Sequence, residues 1–183
     1  MQFKKSLIIV LFSITIICSR TNAQIEVAHL NSKDFAANGF GGFLNFAFPV
    51  AEYGAVSAEV GFYYFKKSGD QVLMLPLLLG YRHMLQDPEV GFYLEPNAGY
   101  NIGYTDIQKE DENGQLIYDP VTGEYAEQKA MGITTGLAAG YIFNGKLKFN
   151  LGLRYQRIFV SGDPSYNLFS FRISYPLSFR RRE

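Results

Sequence analysis

Three runs within residues 131–179 alternate with strict period two, a pattern that strands carry and helices do not. In the first, Met131, Ile133, Thr135, Leu137, Ala139, Tyr141 and Phe143 share one face, and Gly132, Thr134, Gly136, Ala138 and Gly140 the other. After Asn144-Gly145-Lys146 the alternation restarts. Leu147, Phe149, Leu151, Leu153 and Tyr155 then oppose Lys148, Asn150, Gly152, Arg154 and Gln156. A third run sets Phe169, Phe171, Ile173, Tyr175, Leu177 and Phe179 against Ser170, Arg172, Ser174 and Ser178. Each strand therefore has a large apolar face and a small, polar or charged one. A soluble barrel would turn the apolar face inward, whereas a transmembrane barrel would turn it to lipid. The alternation alone does not choose between them.

The rest of the chain does. The N-terminus joins Lys4 and Lys5 to an apolar run from Leu7 to Ile17, with Thr21 and Ala23 at the −3 and −1 positions of a cleavage site before Gln24. That is the layout of a secretory signal peptide over residues 1–23, too short to span a bilayer as a helix. Cys18 fits a lipoprotein site poorly, because Ile17 precedes it where a small residue is wanted. Cleavage after Ala23 removes the only cysteine, leaving a chain without thiol or disulfide chemistry. It also removes Lys4, Lys5 and Arg20, leaving a mildly acidic chain that speaks against nucleic acid as a partner. No long apolar run follows the signal. Yet 16% of the residues are aromatic, with 13 Tyr, 16 Phe and no Trp, and there are 18 Gly. An exported chain of this composition fits a barrel of the outer membrane, one domain over residues 24–183.

In order, the expected strands are Gln24 to Leu30, Phe40 to Pro49, Val56 to Tyr64, Val72 to Met84, Phe92 to Tyr104, and the three already described. The fold expected is an all-β, eight-stranded antiparallel transmembrane barrel with both termini in the periplasm. Its one long connection, residues 106–129, holds Glu110, Asp111 and Glu112 and two turn signals, Asn113-Gly114 and Asp119-Pro120-Val121-Thr122-Gly123. The second is flanked by Tyr118 and Tyr125, which predicts a β-ribbon standing up from the barrel. With periplasmic termini the connections near Tyr53, Asp87 and Asn144 are internal and short, and the long loop is external, as transmembrane barrels show. Pro76 and Pro96 fall mid-strand, where a closed barrel has no free edge, so a bulge or opened ladder is expected there, at similar height on adjacent strands.

Parity then defines the lumen. Glu59 and Glu95 face Arg82, Lys148, Arg154 and Arg172, with Tyr63, Asn45, Asn97, Asn101 and Gln156 among them. Eight strands leave little bore, so these charges read as a fixed salt-bridge plug more readily than as an ion path.

Several stretches resemble the small outer-membrane β-barrel family of Gram-negative bacteria, of OmpA/OmpX-like type, and its Bacteroidetes "porin family" branch in particular. They are Leu73-Met74-Leu75-Pro76-Leu77-Leu78-Leu79-Gly80-Tyr81, Tyr93-Leu94-Glu95-Pro96-Asn97-Ala98-Gly99-Tyr100, Gly136-Leu137-Ala138-Ala139-Gly140-Tyr141 and Leu151-Gly152-Leu153-Arg154-Tyr155. The resemblance implies a monomeric outer-membrane protein, in contact with outer-membrane lipid and lipopolysaccharide and inserted by the barrel-insertion machinery. Members end on an aromatic residue; here Phe179 fits, but Arg180-Arg181-Arg182-Glu183 follow it, most simply as a solvated tail beside anionic headgroups.

Enzyme chemistry finds little footing. Arg82-His83 faintly resembles the Arg-His pair of lipid A deacylases, but Leu85 stands where their serine is expected. His83 and His29 lie on different strands, so no histidine metal site is expected, and no cofactor is implied. The acidic loop lacks the spacing of a calcium loop. The expected function is structural or interactive: a plugged barrel presenting Glu110, Asp111, Glu112, Tyr118 and Tyr125 to an extracellular ligand or envelope protein. The alternative is a narrow porin-like channel for small solutes.

Overall fold

The structure, a computed structural model, describes residues 20–109, 115–120, 123–144, 148–162 and 164–177. The barrel strands are β1 (Arg20–Asn31), β2 (Ala36–Ala51), β3 (Gly54–Lys67), β4 (Asp70–Met84), β5 (Gly91–Thr105), β8 (Gly132–Asn144), β9 (Lys148–Val160) and β10 (Tyr166–Leu177). Two short strands, β6 (Tyr118–Asp119) and β7 (Glu124–Tyr125), form a separate ribbon between β5 and β8. The eight long strands close in sequence order, β1 pairing with both β2 and β10, every pair antiparallel. No edge is left over for another chain to pair with.

The registers fix the size of the barrel. Following paired residues once around leads from Asn31 through Asn167, Arg157, Thr135, Ala98, Leu79, Ala58 and Phe46 to Thr21. The path returns to β1 displaced from residue 31 to residue 21, a shear of 10. With ordinary strand spacings this shear tilts the strands by about 40° and gives a backbone radius of about 8 Å, an interior that side chains just fill.

The polar set faces in and the apolar set faces out. Along β5, Tyr93, Glu95, Asn97 and Asn101 are buried, while Phe92, Leu94, Tyr100 and Ile102 are exposed. On the wall Ile25 is 71% and Leu79 66% exposed, values no water-facing surface of this extent could carry cheaply. The polar character of the interior does not run its full length. Towards the end bearing the long loop, Leu30, Phe35, Phe65, Val72, Met74, Ile158, Val160, Tyr166 and Leu168 form one buried apolar cluster. The expected polar lumen occupies only the remainder.

The prolines open the ladder without shifting it. Between β3 and β4 the pairing skips from Val60↔Leu77 to Tyr63↔Met74, leaving Gly61 and Phe62 unmatched beside Pro76. Between β4 and β5 it skips from Gly80↔Asn97 to His83↔Leu94, beside Pro96. Each missing N–H costs a local gap and the register resumes unchanged. The two do not stand at the similar height expected of them. Pro76 stands opposite Asn101, five residues along β5 from Pro96, because Met84 pairs with Tyr93 and so centres the turn between Pro88 and Glu89, not on Asp87.

Loop lengths follow the expected rule only in part. The long loop lies at the end away from the termini, but so does the two-residue turn Ser68-Gly69. Both of its residues have positive φ, 54° and 108°, the conformation whose twist matches a tight hairpin. β1 begins at Arg20, so Thr21, Asn22 and Ala23, which the expected signal cleavage would remove, pair with β2 and β10. Phe179 and the Arg180–Glu183 tail lie outside the described residues.

Candidate functional site

The interior half nearer the termini holds three carboxylates and three guanidiniums. Glu59, from β3, is the centre: it accepts from Gln24 Nε2 (3.2 Å), Asn45 Nδ2 (2.5 Å), Arg172 Nη1 (3.3 Å) and Arg154 Nη2. Glu95, from β5, accepts from Ser57 Oγ (2.7 Å), Arg82 Nε (2.9 Å) and Arg172 Nη2 (3.1 Å), with Arg82 Nη2 at 2.8 Å. Arg82 thus spans, from the inside, the gap in the ladder beside Pro96. Arg172 links the two carboxylates, and both Glu59 and Arg172 are buried.

The third carboxylate is Glu26 on β1, which the sequence reading missed. It is fully buried, accepts from Tyr63 Oη (2.5 Å) and Ser170 Oγ (2.6 Å), and faces Arg154 Nη1 at 3.5 Å. Its signal was present: Gln24, Glu26, Ala28 and Leu30 alternate with Ile25, Val27 and His29. The strand looked mixed because Ala28 and Leu30, though apolar, enter the interior near the loop end.

Aromatic rings and glycines shape the space around the charges. Tyr93 lies beneath two guanidiniums, Arg82 at 4.8 Å and Arg172 at 5.6 Å from its centroid; its hydroxyl accepts from Arg172 Nη2 (2.9 Å) and donates to Asn150 Oδ1 (3.1 Å). Gly140 and Gly152, a cross-strand pair, make room for that ring: a Cβ on Gly152 would stand 2.8 Å from Tyr93 Oη and 3.0 Å from Arg172 Nε. Arg154 similarly covers Phe43 at 5.2 Å. Lys148 keeps its inward parity but is the first residue of β9, exposed at the mouth of the terminus end, and not part of the buried network. There it borders a cavity of about 400 Å³ with Arg82, Asn150 and Ser174.

Of the loop residues, Glu110, Asp111 and Glu112 lie outside the described set. Tyr118 and Tyr125 pair across β6 and β7 with their rings edge to face, centroids 6.0 Å apart, both exposed beside Leu116 and Ile117. The loop does not simply stand up in solvent. Ile107 and Gln128 are buried, and Gln128 donates to Asp34 Oδ2 (3.1 Å) and accepts from Tyr166 Oη (3.3 Å). Its base therefore caps the barrel and its ribbon projects. His83 is exposed on the outer wall and stacked beside Tyr81; His29, also exposed, bonds Asn38 Oδ1 through Nδ1 at 2.8 Å.

No protein-family model matches the chain, and no curated protein sequence does. Solved structures do resemble it. Neisserial surface protein A is 15% identical with a TM-score of 0.57, the match covering 85% of this chain and 95% of that one. Ail, the attachment invasion locus protein of Yersinia pestis, solved with the heparin analogue sucrose octasulfate, is 10% identical with a TM-score of 0.54, covering 86% and 97%. The likeness is one of fold. With the apolar wall and the closed ring of strands, the chain is a membrane-spanning barrel of the small outer-membrane kind.

Proposed function

We propose that this barrel is a closed membrane scaffold of structural or interaction type, presenting the acidic loop of residues 106–129 outside the cell. The observation that carries this reading is the filled bore: an interlocked set of Glu26, Glu59, Glu95, Arg82, Arg154 and Arg172 in one half and an apolar cluster in the other. A filled bore leaves the loops to carry function, and the ribbon offers exposed Leu116, Ile117, Tyr118 and Tyr125. Residues 106–129 include seven acidic residues against Lys109 and Lys129, so a polyanion like the one bound by Ail is a poor match; the ligand or envelope partner is neutral or cationic.

The chain is exported by residues 1–23, inserted by the barrel-assembly machinery, monomeric and surrounded by lipopolysaccharide, and it stands with the Bacteroidetes porin-family, OmpA/OmpX-like barrels. It catalyses nothing: beside the exposed His83, Leu85 occupies the place of a nucleophile. Protease shaving of intact cells tests the proposal. Cuts confined to residues 106–129 support it; a loop cut only after the periplasm is released would sink it.

A specific observation favours a second reading, a narrow channel for small solutes. The cavity at the terminus-side mouth, rimmed by Lys148 and Arg82, has the character of a vestibule.

A further inference from the structure

Arg157 breaks the pattern of the outer wall. The outward residues of β9 run Phe149, Leu151, Leu153, Tyr155, Arg157, Phe159, so a guanidinium stands between two aromatic residues on the face turned to lipid. Among the described residues it is the one charged outward-facing side chain with apolar outward neighbours on both sides along its strand. Lys66, also outward, lies at the tip of β3 beside Lys67 and the Ser68-Gly69 turn. The interior arginines each have a carboxylate; Arg157, among the described residues, has none and lies over the Phe159 ring at 5.3 Å.

Its depth follows from the geometry. Phe149 to Phe159, at about 3.3 Å per residue and a tilt of about 40°, spans about 25 Å along the barrel axis, the height of an apolar membrane band. Arg157 sits about 5 Å inside the edge at the loop end, and Phe159, two residues nearer that edge, draws its guanidinium towards it. At that depth the guanidinium reaches the headgroup layer, where an anion can meet it. The wall beside it is polar along a single register row: Arg157 pairs with Thr135 on β8 and Asn167 on β10, and Asn167 with Asn31 on β1. Tyr155 Oη donates to Asn167 Oδ1 (2.8 Å), fixing that amide on the row.

We propose that this strip, centred on Arg157, binds the phosphate of a lipid headgroup in the outer leaflet. The planar guanidinium presents paired donors that fit two phosphate oxygens, while Thr135, Asn167 and Asn31 supply hydrogen bonds to the rest of the headgroup. The inference rests on the reading of the loop end as the outer side and narrows the lipid contact to one place and one chemistry.

The full chain would be inserted into phosphatidylcholine vesicles doped with a diphosphorylated glucosamine lipid, extracted, and its bound lipid counted by native mass spectrometry. The same lipid stripped of its phosphates provides the comparison. The wild-type chain should retain the phosphorylated lipid selectively. Arg157→Gln should lower that retention about tenfold, and Arg157→Lys should keep part of it. Asn167→Leu, which leaves the charge in place, should weaken retention less and serves if Arg157→Gln does not fold. Equal retention by the variants, or equal binding of the stripped lipid, would overturn the proposal. So would displacement by inorganic phosphate alone, which would mark a solution-facing anion site. Heat-dependent gel mobility reports insertion separately: a wild-type chain that does not insert counts against the membrane barrel itself, and one that inserts without lipid preference counts against this site only.

Discussion

Glu59 receives four side chains from four strands, Gln24, Asn45, Arg154 and Arg172, and is itself buried. Removing one member of such a buried set strands the others, which costs about 3–5 kcal/mol, whereas an exposed ion pair contributes under about 1 kcal/mol. Glu59→Ala should therefore lower the unfolding free energy of the folded barrel by about 3–5 kcal/mol in urea titrations in lipid vesicles. Glu59→Gln, which keeps the volume and loses the charge, should lose most of the same amount. A loss under about 1 kcal/mol for both would mean that lumen water solvates the arginines. The sequence made five of these six charged residues legible, because parity alone says which side a strand residue faces. Parity does not report depth, and so Lys148, on the right face but at the mouth, was drawn into a network it does not join, while Glu26 was lost beside the apolar Ala28 and Leu30.

At the scale of elements, hairpins and ladder gaps were legible as positions and less so as geometry. The Ser68-Gly69 turn is short because both residues accept positive φ, which only glycine does without strain. A Cβ on Gly69 would meet no atom within 4 Å, so Gly69→Val isolates the backbone term from any contact. It should cost about 1–2 kcal/mol in the same urea titration, and it should act chiefly by slowing the formation of the β3–β4 hairpin. A neutral outcome would mean that the turn adopts another form in the membrane. The gaps beside Pro76 and Pro96 were foreseen from the absent N–H, but their relative height depended on the centre of the β4–β5 turn, which the register puts between Pro88 and Glu89 and not on Asp87. Long-range register is set by the closure of all eight strands together, and no single strand announces it.

For the molecule as a whole, the two tiers of the interior act as seals in series. The charged tier is polar and would admit water if its ion pairs parted; the tier above it, with Leu30, Phe65, Met74, Tyr166 and Leu168 fully buried, would not. That second seal escaped the sequence reading because apolar residues on both faces of a strand, as in Val72 to Leu79, look like poor alternation and not like a plug. Its presence sets what a channel would require. Neutralising the charged tier with Glu59→Gln and Arg154→Gln should leave single-channel recordings in planar bilayers as silent as the wild type, since ions must still cross the buried apolar side chains of the second tier. Conductance should appear only when Phe65→Ala and Leu168→Ala are added, because those substitutions open the apolar tier at the loop end. Steps in the polar double variant alone would show that the charged tier is the only barrier, and would favour the narrow channel over the closed scaffold.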